Sequence, residues 1–279
     1  LKDVSVASTF PSCKFLALKQ EGFCLTITLD RPDARNAMNL LMADELEAVM
    51  SAAAIEPDIS AVVIRANGKH FCAGGDLKDM TDAMPPVRAG DHDPLYYANR
   101  RFGDLLTQIN EAPLVVISVV HGAARGAGFG IACVSDIVIA EESANFAMPE
   151  TGLGLPPAQI LPFVAMRLGK HQARRLAFTG RPIGGEEAHR IGLIDILCAD
   201  KDETNAALES LIQDIGGRGP VALTQAKQLI GDVGQVPLSL LLDRGARLVG
   251  RSSRSGEGRE GLTAFVEKRK PEWAGRNLI

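Results

Sequence analysis

The sequence predicts an α/β fold, with a core over residues 1–200 and a helical C-terminal region over 201–279. Three observations lead there. Apolar, β-branched runs of strand length recur up to about residue 197. Two of them lead through a glycine-bearing turn into helical spacing, around 61–80 and again around 115–135, so one unit is echoed. Beyond Lys201 every periodic segment has the spacing of a helix, over 203–215, 220–231, 236–254 and 257–268.

The elements follow in order. Phe15–Leu18 is a possible first strand, and Leu25-Thr26-Ile27-Thr28-Leu29 alternates as a half-buried strand does. Asp30 to Arg35 is a turn. Asn39 can cap a helix to about Ala54 with Met42, Leu46, Val49, Met50 and Ala53 on one face, and Pro57 ends it. Ala61–Arg65 is a strand that leads into the glycine turn His70–Leu77. Residues 79–95 read as a loop, and a helix with Phe102, Leu105, Leu106 and Ile109 inward follows. Leu114–Val120 is a buried strand, Gly122–Gly130 a second glycine-rich turn, Ile131–Val134 a short helix and Ile137–Ala140 another strand. Helical spacing marks 162–168, 171–178 and 186–190, and Leu193–Leu197 is the last strand.

Composition limits the classes of function. Hydrophobic residues at 46% and charged residues at 23% are the mix of a water-soluble globular domain. A net charge of −4 without a basic run argues against nucleic acid or anionic membrane as main partners. Five scattered cysteines, an odd number, point to reduced thiols in a cytoplasmic compartment, without a disulfide frame or zinc site. No run approaches the ~20 apolar residues of a membrane span, and the N-terminus has no signal-peptide core. The five histidines never pair at ligand spacing, so no metal is indicated.

Two glycine-bearing turns, each after a strand, can aim two backbone N–H groups at one carbonyl oxygen and so stabilise an enolate or a tetrahedral anion. Glu150, between Met148-Pro149 and Leu153, sits in an apolar setting that should raise its pKa and suit it to acid/base work. The plainer reading is two ordinary turns and a solvated Glu. Ser118 and His121 lack the Gly-x-Ser-x-Gly elbow of a nucleophile. Gly126-x-Gly128-x-Gly130 is not the dinucleotide fingerprint, which argues against a nicotinamide cofactor.

These motifs together resemble one family. Leu29-Asp30-Arg31-Pro32 with Asn36-Ala37, Phe71-Cys72-Ala73-Gly74-Gly75-Asp76-Leu77, Gly122–Asp136, Pro149-Glu150 with Gly152-Leu153-Gly154, Leu176–Gly180 and the Glu260–Arg269 segment stand in the order and spacing of the crotonase superfamily, or enoyl-CoA hydratase/isomerase family. The resemblance covers nearly the whole chain. It implies the crotonase fold of repeated strand-strand-helix units with a helical C-terminal trimerisation region. It also implies acyl-CoA thioester substrates, no cofactor beyond the substrate's own CoA, and homotrimers or hexamers built as dimers of trimers. It places the two oxyanion donors on the N–H groups of Gly75 and Ala127, and the acid/base on Glu150. By the same resemblance Arg31, Ala34, Arg35, Ala73, Gly74, Asp76, Leu77, Gly126 and Gly130 hold CoA or substrate, while Phe265 and Lys268 reach a neighbouring subunit's CoA.

One departure bears on the reaction. Hydratases of this family carry two glutamates, and Gly130 stands where the first would be. A single carboxylate suits a Δ3,Δ2-enoyl-CoA isomerase. The stretch Gly128-Phe129-Gly130-Ile131, with Leu155–Val164, instead resembles bacterial hydratases of 3-branched glutaconyl-CoA, the methylglutaconyl type of leucine breakdown and the isohexenylglutaconyl type of terpene breakdown. On that reading Gly130 leaves room for a substrate carboxylate, Arg125, Arg88 or His92 pairs with it, and Met80, Met84 and residues after Leu155 line the acyl channel. A non-catalytic scaffold or RNA-binding module on the same fold is the alternative from another class. Leu240, Leu241, Leu248 and Phe265 are too apolar for a monomer's surface, which assigns oligomer assembly to the C-terminal helices.

Overall fold

A computed structural model describes residues 10–76, 78, 88 and 93–275. Its centre is a six-stranded sheet. β1 (Leu16–Glu21) and β2 (Cys24–Leu29) form an antiparallel hairpin, and β3 (Ala61–Ala66), β4 (Val115–Val120), β6 (Ile137–Glu141) and β9 (Ile196–Cys198) continue the sheet in parallel, in the order β1-β2-β3-β4-β6-β9. Parallel neighbours need crossovers, which are supplied chiefly by α1 (Leu40–Ile55) and α2 (Pro94–Glu111). Asn39 caps α1 as expected, its side chain accepting from the Met42 N–H at 2.9 Å.

Both faces of this sheet are covered, which is why its strands read as unbroken apolar runs. Val62, Ile64, Val116 and Val120 face the larger core with α1, α2 and α3 (Ala127–Val134). Their neighbours Ala61, Val63, Ile117 and Val119 face a second core closed by Leu208, Ile212 and Ile215 of α6 (Lys201–Gly216). Thus α6 is part of the core, and the expected division at residue 200 does not separate it from the sheet. Next in the chain, α7 (Pro220–Gly231) is anchored by Lys227, whose Nζ donates to Leu114 O at 2.9 Å and to Asp136 Oδ2 at 2.7 Å. After it, α8 (Leu238–Ser252) and α9 (Gly256–Val266) leave Leu238, Leu240, Val249 and Phe265 exposed. Leu241 is a correction: it is buried within the chain.

A second, three-stranded sheet has no counterpart in the sequence reading. It joins β5 (Ala123–Arg125), β7 (Asn145–Ala147) and β8 (Ile183–Gly184), strands too short to show a period. The second glycine-rich stretch also differs from expectation. The helix α3 starts at Ala127, not Ile131, so Gly128 and Gly130 are helical. They are glycines because the space is taken: a Cβ on Gly128 would lie 2.8 Å from the Cys72 Cβ, and one on Gly130 2.6 Å from the Ile160 Cγ2. The two helices expected over 162–178 form α4 (Leu161–Thr179), kinked where Gly169 takes φ 78°. A short α5 (Gly185–Arg190) follows β8, and the last strand pairs over Ile196–Cys198 because Leu193 and Ile194 turn into the core.

Phe129 of α3 is fully buried against Phe146, their ring centroids 6.0 Å apart. Phe129→Ala is expected to cost about 3–5 kcal/mol, read as a lowered midpoint in urea unfolding.

Candidate active site

The two glycine turns are stitched to each other. Cys72 and Ala124 form a parallel bridge in which the Cys72 N–H donates to Ala123 O at 3.0 Å and the Arg125 N–H to Cys72 O at 2.9 Å. Each expected donor, Gly75 and Ala127, lies three residues beyond this pair. On its other side the first turn bridges to Met38, with the Met38 N–H donating to Gly74 O at 2.7 Å and the Asp76 N–H to Met38 O at 2.9 Å. Gly75 itself alternates away from Met38, and its N–H has no acceptor among the described residues. Ala127 is the first residue of α3, so its N–H is also without an acceptor. The turn is further held by Arg31, whose Nη1 donates to Asp76 Oδ2 at 2.6 Å and to Ala37 O at 3.0 Å. Buried Asn36 accepts from the Arg31 N–H and donates to Asn67 O and His70 O, each at 2.8 Å.

Glu150 enters from the short 3-10 turn Pro149–Leu153 after β7. Its Oε1 lies 2.7 Å from where a Cβ on Gly126 would be, and Gly126 holds φ 45°, so both space and backbone require glycine there. Its Oε2 is buried without a hydrogen-bond partner. Burial raises the carboxyl pKa above its ordinary value, and the Glu150 backbone N–H pulls the other way more weakly. Thr151 Oγ1 donates to Ala177 O at 2.8 Å, fixing the turn to the end of α4.

These groups line one cavity of about 570 Å³. Of the residues singled out in the sequence, Ala73, Gly74, Gly75, Asp76, Gly126, Ala127 and Glu150 line it. Others do not. Arg31 is turned to Asp76, Ala34 lies half-buried in the 3-10 turn Pro32–Ala34, and Arg35 is exposed at φ 55°. Phe265 and Lys268 are exposed and do not line it either. Leu77, Met80, Met84 and His92 lie outside the described residues. Two expectations are corrected. Gly130 opens no space, because Ile160 and Leu106 fill it. Arg125 faces Asn145, its Nη2 donating to Oδ1 at 2.7 Å, and Arg88 is exposed and does not line the cavity. Sequence reading missed Asp44 and Glu47 on α1, and Asn99 and Arg101 on α2, which also line the cavity, Arg101 bridging to both acids. Gln159 belongs to the stretch after Leu155 expected along the acyl channel, and Leu155 to Ile160 do line the cavity; its bond to Asn99, 60 residues away, was not foreseen.

Other chemistry finds no footing. Ser118 is fully buried and bonded to Ser135 at 2.7 Å. Burial pushes the Cys72 thiol up to about 11, so it stays neutral at physiological pH. Among the described residues no three metal-ligating side chains gather, and no helix is long and apolar enough to cross a membrane.

A raised carboxyl pKa means that the folded state holds the proton more tightly than the unfolded chain does. Glu150 therefore contributes stability below its ordinary value of 4.5, lost as pH rises through the raised native value. Glu150→Gln is expected to be more stable than the wild type at pH 7, with the difference shrinking as pH falls through the raised native value and gone below pH ~4, as thermal melts across pH would read.

Comparison with known proteins agrees with this geometry. Residues 19–276 match the family model described as enoyl-CoA hydratase/isomerase. The 2,3-dehydroadipyl-CoA hydratase of Escherichia coli (strain K12) is 31% identical over 262 residues, 94% of this chain and 99% of that protein. Among solved structures, an enoyl-CoA hydratase/isomerase from Marinobacter aquaeolei superposes with a TM-score of 0.91 at 43% identity, covering 94% of this chain and 100% of the other. Pseudomonas aeruginosa AtuE superposes at 0.89 and 44% identity, with the same coverage. With a donor-lined, acid-bearing cavity on this fold, the chain belongs to the enoyl-CoA hydratase/isomerase family and is an enzyme of it.

Proposed function

We propose that the protein is an enoyl-CoA hydratase with Glu150 as its acid/base. The observation that carries this is a buried, unpartnered carboxylate oxygen in the cavity that also holds the free N–H groups of Gly75 and Ala127. The thioester oxygen accepts from both N–H groups. Charge that develops on it as water attacks the β-carbon meets donors already in place. Glu150, ionised, takes a proton from the water and returns it to the α-carbon. The same set can move a proton between carbons, which keeps the Δ3,Δ2-isomerase as a second reading.

The finer part of the proposal is an acyl group with a second carboxylate, such as methylglutaconyl-CoA or isohexenylglutaconyl-CoA. Two observations support it. The E. coli relative is named for dehydroadipyl-CoA, an enoyl ester with a distal carboxylate. In this cavity Arg101 Nη2 is held by Asp44 Oδ1 at 2.8 Å and Glu47 Oε2 at 3.2 Å, leaving Nη1 and Nε without partners among the described residues. The seven steps from Leu40 to Glu47 place Glu47 about 10 Å along α1 from the helix start, which follows the Met38 bridge to the Gly75 turn. The exposed apolar residues of α8 and α9 support assembly into a trimer or a dimer of trimers, with Phe265 and Lys268 reaching a neighbour's CoA.

Glu150→Gln is expected to lower turnover by about 10²–10⁴-fold with CoA-ester affinity little changed. The acyl group is tested by kcat/KM for 3-methylglutaconyl-CoA against crotonyl-CoA. A clear preference for crotonyl-CoA removes the diacid, and turnover of 3-enoyl-CoA alone selects the isomerase. Light scattering at micromolar concentration should give a mass that is a multiple of three chains; a monomer's mass would refute the assembly.

A further inference from the structure

Addition of water requires a water molecule held against the β-carbon, and one carboxylate does not fix its position. The inference here rests on the hydratase reading and concerns the cavity wall that follows Glu150. That wall touches α3 at two points: Glu150 Oε1 abuts Gly126, and Ile160 Cγ2 abuts Gly130. The two are one helical turn apart, about 6 Å, close to two hydrogen-bond lengths. A polar group beside Ile160 that opens onto the same cavity as Glu150 can share a water with it.

Gln159 is that group. It lines the cavity, and its amide lies against α2. Its Nε2 donates to Asn99 Oδ1 at 2.8 Å. Its Oε1 lies over Gly103, where a Cβ would come within 2.0 Å. One N–H of Gln159 and the Asn99 amide N–H groups keep no partner among the described residues. Other polar side chains on this wall and its neighbours are engaged: Asp76 with Arg31, Asp44 and Glu47 with Arg101, and Asp93 with the Leu95 N–H.

We propose that the Gln159–Asn99 amide pair holds the water that adds to the β-carbon, Gln159 touching it and Asn99 positioning Gln159. The Gln159 N–H donates to the water oxygen through one lone pair. The other lone pair forms the C–O bond at the β-carbon, and the double-bond electrons move onto the thioester oxygen held by Gly75 and Ala127. One water proton passes to Glu150 and then to the α-carbon, so one water is added and nothing else changes. An amide fits this task because it has no proton to lose and adds no charge beside Glu150.

The test separates water addition from proton transfer. Gln159→Leu and Gly103→Ala are assayed for hydration of crotonyl-CoA and 3-methylglutaconyl-CoA. They are also assayed in D2O for exchange of the α-protons of butyryl-CoA, which uses Glu150 and the two N–H donors but adds no water. Gln159→Leu should lose about 10²-fold in hydration kcat and retain exchange. Gly103→Ala favours the helix by itself and displaces the Gln159 amide, so it should show the same split without a lower Tm. Hydration retained in Gln159→Leu, or hydration and exchange falling together, overturns the proposal. Wild-type protein that exchanges butyryl-CoA protons but hydrates neither ester overturns the hydratase reading itself, and is recognised before any substitution is made.

Discussion

The close approach of two backbones sets the terms for everything around the cavity. The Gly74 Cα lies 3.6 Å from where a Cβ of Gly126 would be, and the Cys72/Ala124 bridge holds the turns in that register. Gly74 at φ 110° and Gly126 at φ 45° hold backbone conformations that a side chain would strain, in the turns that carry the N–H groups of Gly75 and Ala127. The space left at Gly126 is filled by the Glu150 carboxylate. One contact thus fixes both donors and the acid, and the remaining packing serves to maintain it.

Support for that contact comes from groups with no part in the chemistry. Asn36 ties the first turn to Asn67 and His70, the residues that lead into the Gly74–Gly75 turn. Arg31, expected from the family resemblance to hold CoA, pairs with Asp76 at partial burial, where one strong charge-assisted bond holds two loops. Desolvation of Glu150 stands in contrast. Its unpartnered Oε2 costs stability in the resting protein, an expense typical of sites poised for proton transfer.

Much of this was legible in the sequence, and the reason is local. The strands of the main sheet are apolar because both their faces are covered, and the glycine turns stand directly after β3 and β4. Glu150 was legible from its apolar neighbours. What was not legible depends on distant pairs. The short strands β5, β7 and β8 are defined by their partners, not by a period. The Gln159–Asn99 bond and the Arg101 cluster join residues far apart in the chain. Gly130 was misread for the same reason: a missing side chain looks like empty space in sequence, whereas Ile160 and Leu106 have closed it.

That closure bears on which neighbouring sequences the fold can reach. A Glu at position 130, as the family resemblance expects of a two-carboxylate site, would meet Ile160 within 2.6 Å at its first side-chain atom and Leu106 at 3.2 Å. Acquiring the second acid in one step therefore requires Ile160 to shift. A smaller residue at 160 would make that room, and with glycine still at 130 it would leave a void in the core.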